Sequence, residues 1–448
     1  MIRGLNTGLN VATRALQSAQ WAMMLHTKNI SNHDNEYYTR QWLENPADPT
    51  GKLPYVARVR DLFVDHQYRT VAATAGETGT ILDIWQRVEE IFGDPIEGGL
   101  GQAIDEFFDS WKALSENPAD VTVRLEVLSA AGNLVQNYKL VISHLNQISD
   151  LINEQMDALV EDINAKLVAV RDLNARIALL RHSGETDADL QDQRDKLLDE
   201  LASLTGAVPV FLSDGTVRVM IGGVPAVDSL YVNQLELVDG PNGPVPKWIG
   251  MDVPEYRGGG KLRGLLYMRD TEIADAIKEV DGFMKALAHK VNEIHRLGFG
   301  LEQDPDNLDL DFFLVQDDVV GSVTVNPNLT AKGIRAALDS PALPMDGRNA
   351  DAIYQLIDGL VPGDRSTSPI VRYRNLVGLI GSKTAQAERE DTVATNHLRT
   401  IKETRSSKWG VSIDEEVAGL TAQQKAFAAS ARVIQMIDEM LDVLINMV

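Results

Sequence analysis

The glycine-rich stretch "RGGGKLRG" at residues 257–264 could cradle a phosphate, because glycine loops turn backbone N–H groups toward phosphate oxygens. A Walker A loop needs another glycine five residues before its last glycine, and Ser or Thr after its lysine. Glu255 and Leu262 occupy those positions here. The stretch therefore predicts a glycine turn that leads into a helix, and not a nucleotide site.

The acidic stretch "EQDPDNLDLDFF" at residues 302–313 could bind calcium, because Asp304 and Asp306 are separated by one residue, as in an EF-hand loop. The EF-hand spacing then fails at Leu308, Asp309 and Val315. We therefore expect an acidic loop without a bound metal.

The histidine, serine and cysteine residues form no pattern typical of catalysis. His289 and His295 are spaced so that they fall on different faces of a helix, and no HExxH motif occurs. No G-x-S-x-G motif is present, and a chain with no cysteine has no thiol chemistry. The sequence predicts no enzyme, no cofactor and no metal site.

The composition is that of a folded protein with an acidic surface. The chain has 448 residues and a formal net charge of −23, which disfavours nucleic acid and anionic membranes as partners because both are polyanions. No run approaches the roughly 18–20 apolar residues of a membrane span. Polar residues such as Asn6, Asn10 and Arg14 interrupt any signal-peptide core. Any export should therefore use a route without a cleaved signal.

Residues 2–30 and 417–448 each carry a narrow apolar stripe with helical spacing. Such a helix is marginal alone and needs a partner that covers its stripe. We expect the two segments to pair as an antiparallel coiled coil; the alternative is two ordinary core helices of separate domains. The stripes consist of Ile2, Leu5, Leu9, Ala12, Leu16, Ala19, Met23, His26 and Ile30, and of Val417, Leu420, Phe427, Ala431, Ile434, Ile437, Leu441, Leu444 and Val448.

Between the two ends, most of the sequence has apolar residues at helical spacing, and one segment instead alternates apolar and polar residues. Residues 206–264 alternate apolar and polar side chains between turn signals, which indicates a small β-rich insert. The fold class is therefore mainly α with a smaller β-rich insert, in an elongated multidomain protein. Helices are predicted at 99–116, about 119–182, 187–205, 265–298, 346–360 and 368–408. Three units are predicted: 1–35 plus 411–448 as the terminal coiled coil, 36–205 plus 265–410 as the helical body, and 206–264 as a β-rich outer domain.

Both ends of the sequence resemble bacterial flagellar axial proteins. "NISNHDNEYYTRQ" at 29–41 is similar to their N-terminal signature, although Tyr37 replaces the usual glycine, and the segment from Gly410 to the end is similar to their C-terminal helix. Three internal pairs of stretches resemble one axial family, the first hook-associated protein (FlgK) family. They are "DQRDKLLDELASLTGAVPV" with "DGTVRVMIGG", "GGKLRGLLYMRD" with "VNEIHRLGFGLE", and "NLVGLIGSKTAQAERE" with "SSKWGVSIDEE".

The resemblance implies a structural protein of the junction between hook and filament. It implies a ring of self-associated copies, contacts with the hook protein and with a second junction protein toward the filament, and a cytosolic export chaperone at the C-terminal helix. It also implies an extracellular location reached through the flagellar type III channel, and terminal helices that order on assembly. The insert at 206–264 is short for the family.

The expected assembly interface follows from the two stripes and from the boundary at 29–41. Tyr38 and Arg40 are expected to anchor the exit turn against neighbouring helices. The interface residues are Leu5, Leu9, Leu16, Met23, Ile30, Tyr38, Arg40, Leu420, Phe427, Ile434, Leu441 and Leu444.

Three alternatives remain open at this point. A hook or distal-rod protein would share both termini but not the internal stretches. A coiled-coil translocator or adhesin secreted by a related apparatus would need a membrane-active hairpin, which the sequence does not show. An enzyme within the short insert would need an acid–base constellation.

Overall fold

The computed structural model describes residues 2–44, 55–93, 99–183, 187–251, 256–301, 310–339, 345–362 and 364–446, with the side chains of residues 5–443 in these ranges. Helices dominate the chain, and the longest contains 63 residues, which makes it about 95 Å long. The α-helices are α1 (Ile2–Ser31), α2 (Leu62–Phe92), α3 (Leu100–Glu116), α4 (Val121–Ser183), α5 (Ala188–Thr205), α6 (Gly260–Tyr267), α7 (Ala274–Leu297), α8 (Arg348–Tyr354), α9 (Pro369–Trp409) and α10 (Ile413–Asn446).

Within the described ranges, short antiparallel strands form four small sheets. The largest has the order β3-β4-β5-β6, while β1 pairs with β2, β7 with β8, and β9 with β10. The strands are β1 (Gln41–Glu44), β2 (Tyr55–Arg58), β3 (Val208–Phe211), β4 (Val217–Ile221), β5 (Val224–Asp228), β6 (Tyr231–Val232), β7 (Leu235–Gly240), β8 (Gly243–Trp248), β9 (Phe313–Leu314) and β10 (Thr324–Val325).

The two terminal helices pack against each other in antiparallel orientation. Gly8 of α1 lies against Ile437 of α10, and His26 lies against Gly419, so the start of one helix meets the end of the other. A Cβ added at Gly419 would lie 2.4 Å from His26 Cε1, which shows how closely the backbones approach. The predicted pairing of the terminal helices is thereby confirmed.

Helix α2 and the β1–β2 hairpin were not predicted. Helix α2 packs along α9 and also contacts α5 and α6. Its contact with α5 uses small residues: a Cβ added at Gly76 would lie 2.3 Å from the Ser203 carbonyl oxygen. This half of α2 packs through small residues and shows no wide stripe of large apolar residues, whereas its other half buries Ile84, Trp85, Val88 and Phe92 at helical spacing.

The half of α4 that lies toward its N-terminus packs against α3 and α7 around an aromatic cluster. Phe107 and Trp111 of α3 lie edge-on or tilted against Phe312, with ring centroids 6.3 and 5.3 Å apart. Arg124 of α4, which is buried, donates to the Pro118 carbonyl at 2.8 Å. This end of the molecule therefore has a continuous apolar core.

The strands of the insert lie along the other half of α4, and asparagine side chains fix them there. In each case the amide donates to a strand carbonyl and accepts the N–H of the same strand residue, so one side chain replaces a neighbouring strand. That the insert forms a separate outer domain remains a prediction. The pairs are Asn174 with Val217 (2.8 and 3.0 Å), Asn164 with Leu235 (2.7 and 2.8 Å), and elsewhere Asn292 with Phe313 (2.8 and 2.8 Å) and Asn29 with Gln41 (2.9 and 3.1 Å).

The glycines of "RGGGKLRG" form the predicted turn. Gly260 has a φ of +67°, and a Cβ there would lie 2.4 Å from the Ser203 carbonyl oxygen. Gly259 donates to the Thr205 carbonyl at 2.7 Å, which ties the turn to the end of α5. Helix α6 starts at Gly260 rather than at the predicted residue 265, and a π-helical turn at Met268–Ile273 joins it to α7.

Candidate assembly site at the terminal helix pair

The predicted stripe residues line the seam between α1 and α10. Most of their described side chains are half-buried, whereas Ala12, Ala19 and Ile437 are buried and Val417 is 47% exposed. The side chains of Ile2 and Leu444, and the whole of Val448, lie outside the described residues. A seam of partly buried side chains holds the pair together but leaves apolar area uncovered. The half-buried residues are Leu5, Leu9, Leu16, Met23 and Ile30 on α1, and Leu420, Phe427, Ile434 and Leu441 on α10.

A second set of apolar side chains on the same helices faces solvent, and sequence reasoning did not select it. Trp21 is 50% and Met24 is 69% exposed on α1, and Met440 is 48% exposed on α10. Single exposed apolar residues are normal, but a concentration of them on one helix pair indicates a surface that another molecule covers. We name this set the outer apolar surface: Val11, Trp21, Met24, Val433, Met436, Met440 and Val443.

One buried carboxylate, Glu416 at the start of α10, joins α10 to α1 and to the exit turn that leads into the body. Its side chain is 0% exposed. Arg40 Nε donates to Glu416 Oε1 at 2.6 Å, Asn29 Nδ2 donates to Oε2 at 2.9 Å, and His26 Nδ1 lies 2.6 Å from Oε2. The predicted anchoring role of Arg40 agrees with this geometry, because the residue joins the exit turn to α10.

Burial alone would raise the pKa of Glu416. Hydrogen bonds from Asn29 and His26, together with the charge of Arg40, more than offset burial and lower the pKa below its usual value. The carboxylate is therefore ionised at neutral pH and accepts all three contacts.

The exit turn itself is held by Asn29 and Tyr38. Tyr38 is buried and its Oη donates to Asn29 Oδ1 at 2.7 Å. Tyr37, which stands where the resembling family has glycine, does not adopt a positive φ, so the turn needs no glycine here. Its ring lies 5.0 Å from Lys196 Nζ, which gives it a cation–π contact with α5.

A buried network of four arginines and four aspartates lies next to the exit turn and connects β2, α2, α5 and α9. Arg58 donates to Asp195 at 2.6 Å, and Arg69 donates to Asp199 at 2.7 Å. Three of the aspartates follow one face of α5 at a spacing of three and four residues, within the stretch that carries the family resemblance. The network consists of Arg58, Arg60, Arg69 and Arg405 with Asp65, Asp192, Asp195 and Asp199.

The network contains equal numbers of positive and negative side chains. The arginines offset the effect of burial on the pKa of each carboxyl to different degrees. Burial raises the pKa of Asp195, but Arg60, Arg58 and Arg69 more than reverse this effect and hold that pKa well below its usual range. Burial raises the pKa of Asp192, and Arg58 offsets it only in part. Because the pKa of Asp195 is lower in the folded chain than its usual value, the ionised carboxylate stabilises the fold.

The residues considered for metal or acid–base chemistry do not come together. His295 is buried, and burial with the nearby charge of Arg335 lowers its pKa to about 3, whereas His289 lies at the surface 2.8 Å from Asp317. Within the described ranges, no group of His, Asp or Glu side chains could hold a metal ion. Residues 302–309 of the acidic stretch lie outside the described part.

None of the helices described is long and apolar enough to cross a membrane.

Comparison with known families assigns the terminal helix pair and the mainly α-helical body to one class of protein, the structural proteins of the bacterial flagellum. Residues 404–447 match the family described as flagellar basal body rod FlgEFG protein C-terminal. Residues 85–313, just over half of the chain, match the flagellar hook-associated protein FlgK helical domain. The chain belongs to the FlgK family, whose members are structural proteins and not enzymes.

Curated relatives match the chain from end to end. Flagellar hook-associated protein 1 of Bacillus subtilis is 24% identical over 494 residues, covering 98% of this chain and 97% of the relative. Its namesake in Salmonella typhimurium is 22% identical over 556 residues, covering 98% and 99%. The second alignment is more than 100 positions longer than this chain, which agrees with a shortened segment, although the place of the shortening remains a prediction.

A solved structure shares the fold. The flagellar hook junction protein FlgK from Burkholderia pseudomallei superposes with a TM-score of 0.66 and 16% sequence identity, covering 76% of this chain and 100% of that one. The elongated, mainly α-helical architecture predicted from the sequence is thereby confirmed.

Proposed function

We propose that copies of this chain form the junction between hook and filament by packing their terminal helix pairs against one another. The protein is a structural component of the flagellum that self-associates and contacts hook and filament. The proposal adds that the outer apolar surface is the contact between copies. The seam residues, including Phe427 and Leu441, hold the pair together and form part of the same interface.

The outer apolar surface is the observation that carries this proposal. Methionine, valine and tryptophan side chains on opposite helices remain uncovered after α1 and α10 have paired. Burial of each such side chain stabilises an assembly by roughly 1.5–3 kcal/mol, so a repeated contact around a ring sums to a large stabilisation. A contact between unlike faces of neighbouring copies is the kind that closes into a ring.

The identities of the individual partners are inferred from the family resemblance. We propose the hook protein on one side of the ring, a second junction protein on the filament side, and a cytosolic chaperone that covers Met436, Met440 and Val443 before export. Export through the flagellar type III channel without a cleaved signal is part of the same proposal. A chaperone at this place would keep exposed apolar side chains from aggregating.

The test uses an exposed residue, because a charge there leaves the seam between α1 and α10 intact. Met440→Asp should abolish junctions and filaments in cells that lack the native chain, while circular dichroism and the unfolding midpoint stay unchanged. The matched control is Leu125→Asp, because Leu125 is an exposed leucine near the start of α4 in the body. Normal filaments on cells with Met440→Asp would overturn the proposal.

The internal match separates this proposal from its nearest rival. A hook or distal-rod protein would share the match at residues 404–447, but the FlgK helical domain at 85–313 lies in the body of the chain. A secreted translocator is disfavoured by the same match. No observation favours an enzyme within the insert.

A further inference from the structure

The terminal pair has very different surroundings along its length. Near Glu416 it touches the body at several points: Lys28 Nζ lies 2.6 Å from Asp189 of α5, and Asn29 Nδ2 donates to the Gln41 carbonyl of β1 at 2.9 Å. Farther out, α1 and α10 pack chiefly on each other. An isolated pair of helices with a partly exposed seam is marginally stable in water.

The buried groups are concentrated at the attached end. Asn29, Thr39, Gln41 and Trp409 are all buried there, together with Glu416. A buried carboxylate that accepts three partners is stable only while every partner stays in place, because an uncompensated buried charge is costly. The contacts at this end must therefore form and open together.

We propose that Glu416 acts as a latch in the free chain by holding the start of α10 to the attached end of α1 and to Arg40, so that the pair orders outward from this point during assembly. The latch would hold α1 and α10 in register before neighbouring copies arrive. Preorganisation of this kind lowers the conformational entropy lost on association. The inference rests on the proposed function for the assembly step, but the latch itself is a property of the free chain.

Hydrogen exchange of the free, full-length chain, followed by mass spectrometry at pH 7, tests the latch. We expect amides at 26–41 and 409–418 to exchange at least about tenfold more slowly than those at 5–20 and 425–443. Glu416→Ala should raise exchange in the first two segments to the level of the outer ones. Amides at 141–163 of α4 report whether the body remains folded.

Two further variants make the test specific. Glu415→Gln is the matched control, because this neighbouring carboxylate is exposed and also accepts from Arg40, through Nη1 at 2.9 Å. Glu416→Gln keeps the size of the side chain but removes its charge, and it should give an intermediate loss of protection. Equal exchange along the whole pair in the native chain, or equal effects of Glu415→Gln and Glu416→Ala, would overturn the latch. A native chain that shows the latch but never assembles would instead count against the proposed function.

Discussion

Arg405 near the end of α9 donates from Nη1 to Asp199 Oδ2 of α5 at 2.6 Å, and both side chains are largely buried. The same guanidinium lies 3.1 Å from Asp65 of α2 and 4.6 Å from the ring of Tyr68. One side chain thus joins three helices where the chain leaves the body for α10. Integrity of the body at this point depends on paired charges rather than on apolar packing alone.

Removal of Arg405 should destabilise the body strongly. Arg405→Met leaves Asp199 and Asp65 without one of their buried partners, and we expect a loss of about 3 kcal/mol in the free energy of unfolding. Urea denaturation monitored by circular dichroism measures it. The control, Arg87→Met, breaks an exposed pair with Asp83 and should cost under about 1 kcal/mol. Equal effects of the two substitutions would contradict a special role for the network.

The pH dependence of stability should reflect Asp195. Its pKa in the folded chain lies below that in the unfolded chain, so its ionised form stabilises the fold above about pH 4 and this contribution is lost as the pH falls further. Asp195→Asn should therefore lower stability at pH 7 and flatten the loss of stability between about pH 4 and 2. Urea midpoints across this range give the comparison, and a variant curve parallel to that of the native chain would contradict it.

The asparagine contacts on α4 should act locally. Asn174→Ala removes the acceptor of the Val217 N–H in β4, while Asn164→Ala removes the acceptor of the Leu235 N–H in β7. Each variant should cost about 1–3 kcal/mol and speed amide exchange at the strand that it contacts and, for Asn174→Ala, also around Ser229, whose carbonyl accepts from Asn174 Nδ2 at 3.0 Å. The two variants are controls for each other. Exchange that rises equally in both strands with either variant would show that the insert opens as one unit.

Gly260 should tolerate no side chain. Gly260→Ala combines a positive φ with a Cβ that would lie 2.4 Å from the Ser203 carbonyl oxygen, so the loss should exceed about 2 kcal/mol. Gly132→Ala is the control, since this helical glycine of α4 has open space around it and alanine should stabilise the helix by up to about 1 kcal/mol. Thermal unfolding midpoints that fall equally for both would contradict the assignment.

The long helices were predictable because each buries a regular apolar stripe. Residues such as Leu145, Ile152 and Leu159 of α4 recur at helical spacing and are all buried. The first half of α2 shows no such stripe because it packs through small residues such as Ala72 and Gly76, whereas the second half carries a buried stripe that periodicity could have found. Periodicity of large apolar residues finds helices that fill a core, and misses helices that approach each other closely.

The buried arginine–aspartate network and the contacts of Glu416 were only partly predictable from the sequence. The aspartates of α5 stand at helical spacing within a quoted stretch, but their partners lie more than 100 residues away, at Arg58 and Arg405. A single sequence contains no signal that pairs such distant charges. Arg40 was predicted as an anchor, whereas the burial of Glu416 emerged only from the structure.

The outer apolar surface was missed for a physical reason. Sequence reading selects the residues that best continue a stripe, and these residues fill the seam between α1 and α10. Trp21, Met24 and Met440 lie off that stripe and are exposed after the helices have paired. Only the position of the partner helix distinguishes the seam from the surface left for a neighbouring copy.

The central claim is that the outer apolar surface of one copy contacts another copy in the assembled junction. The native chain has no cysteine, so Met440→Cys combined with Trp21→Cys places one thiol on α10 and one on α1, as a contact between unlike faces of neighbouring copies requires. Intact flagella carrying the double variant would be treated with a short thiol-specific crosslinker and analysed by denaturing electrophoresis. We expect covalent species of two and more times the monomer mass, which the two single variants do not give. Complete modification of the thiols with monomer alone would contradict the account.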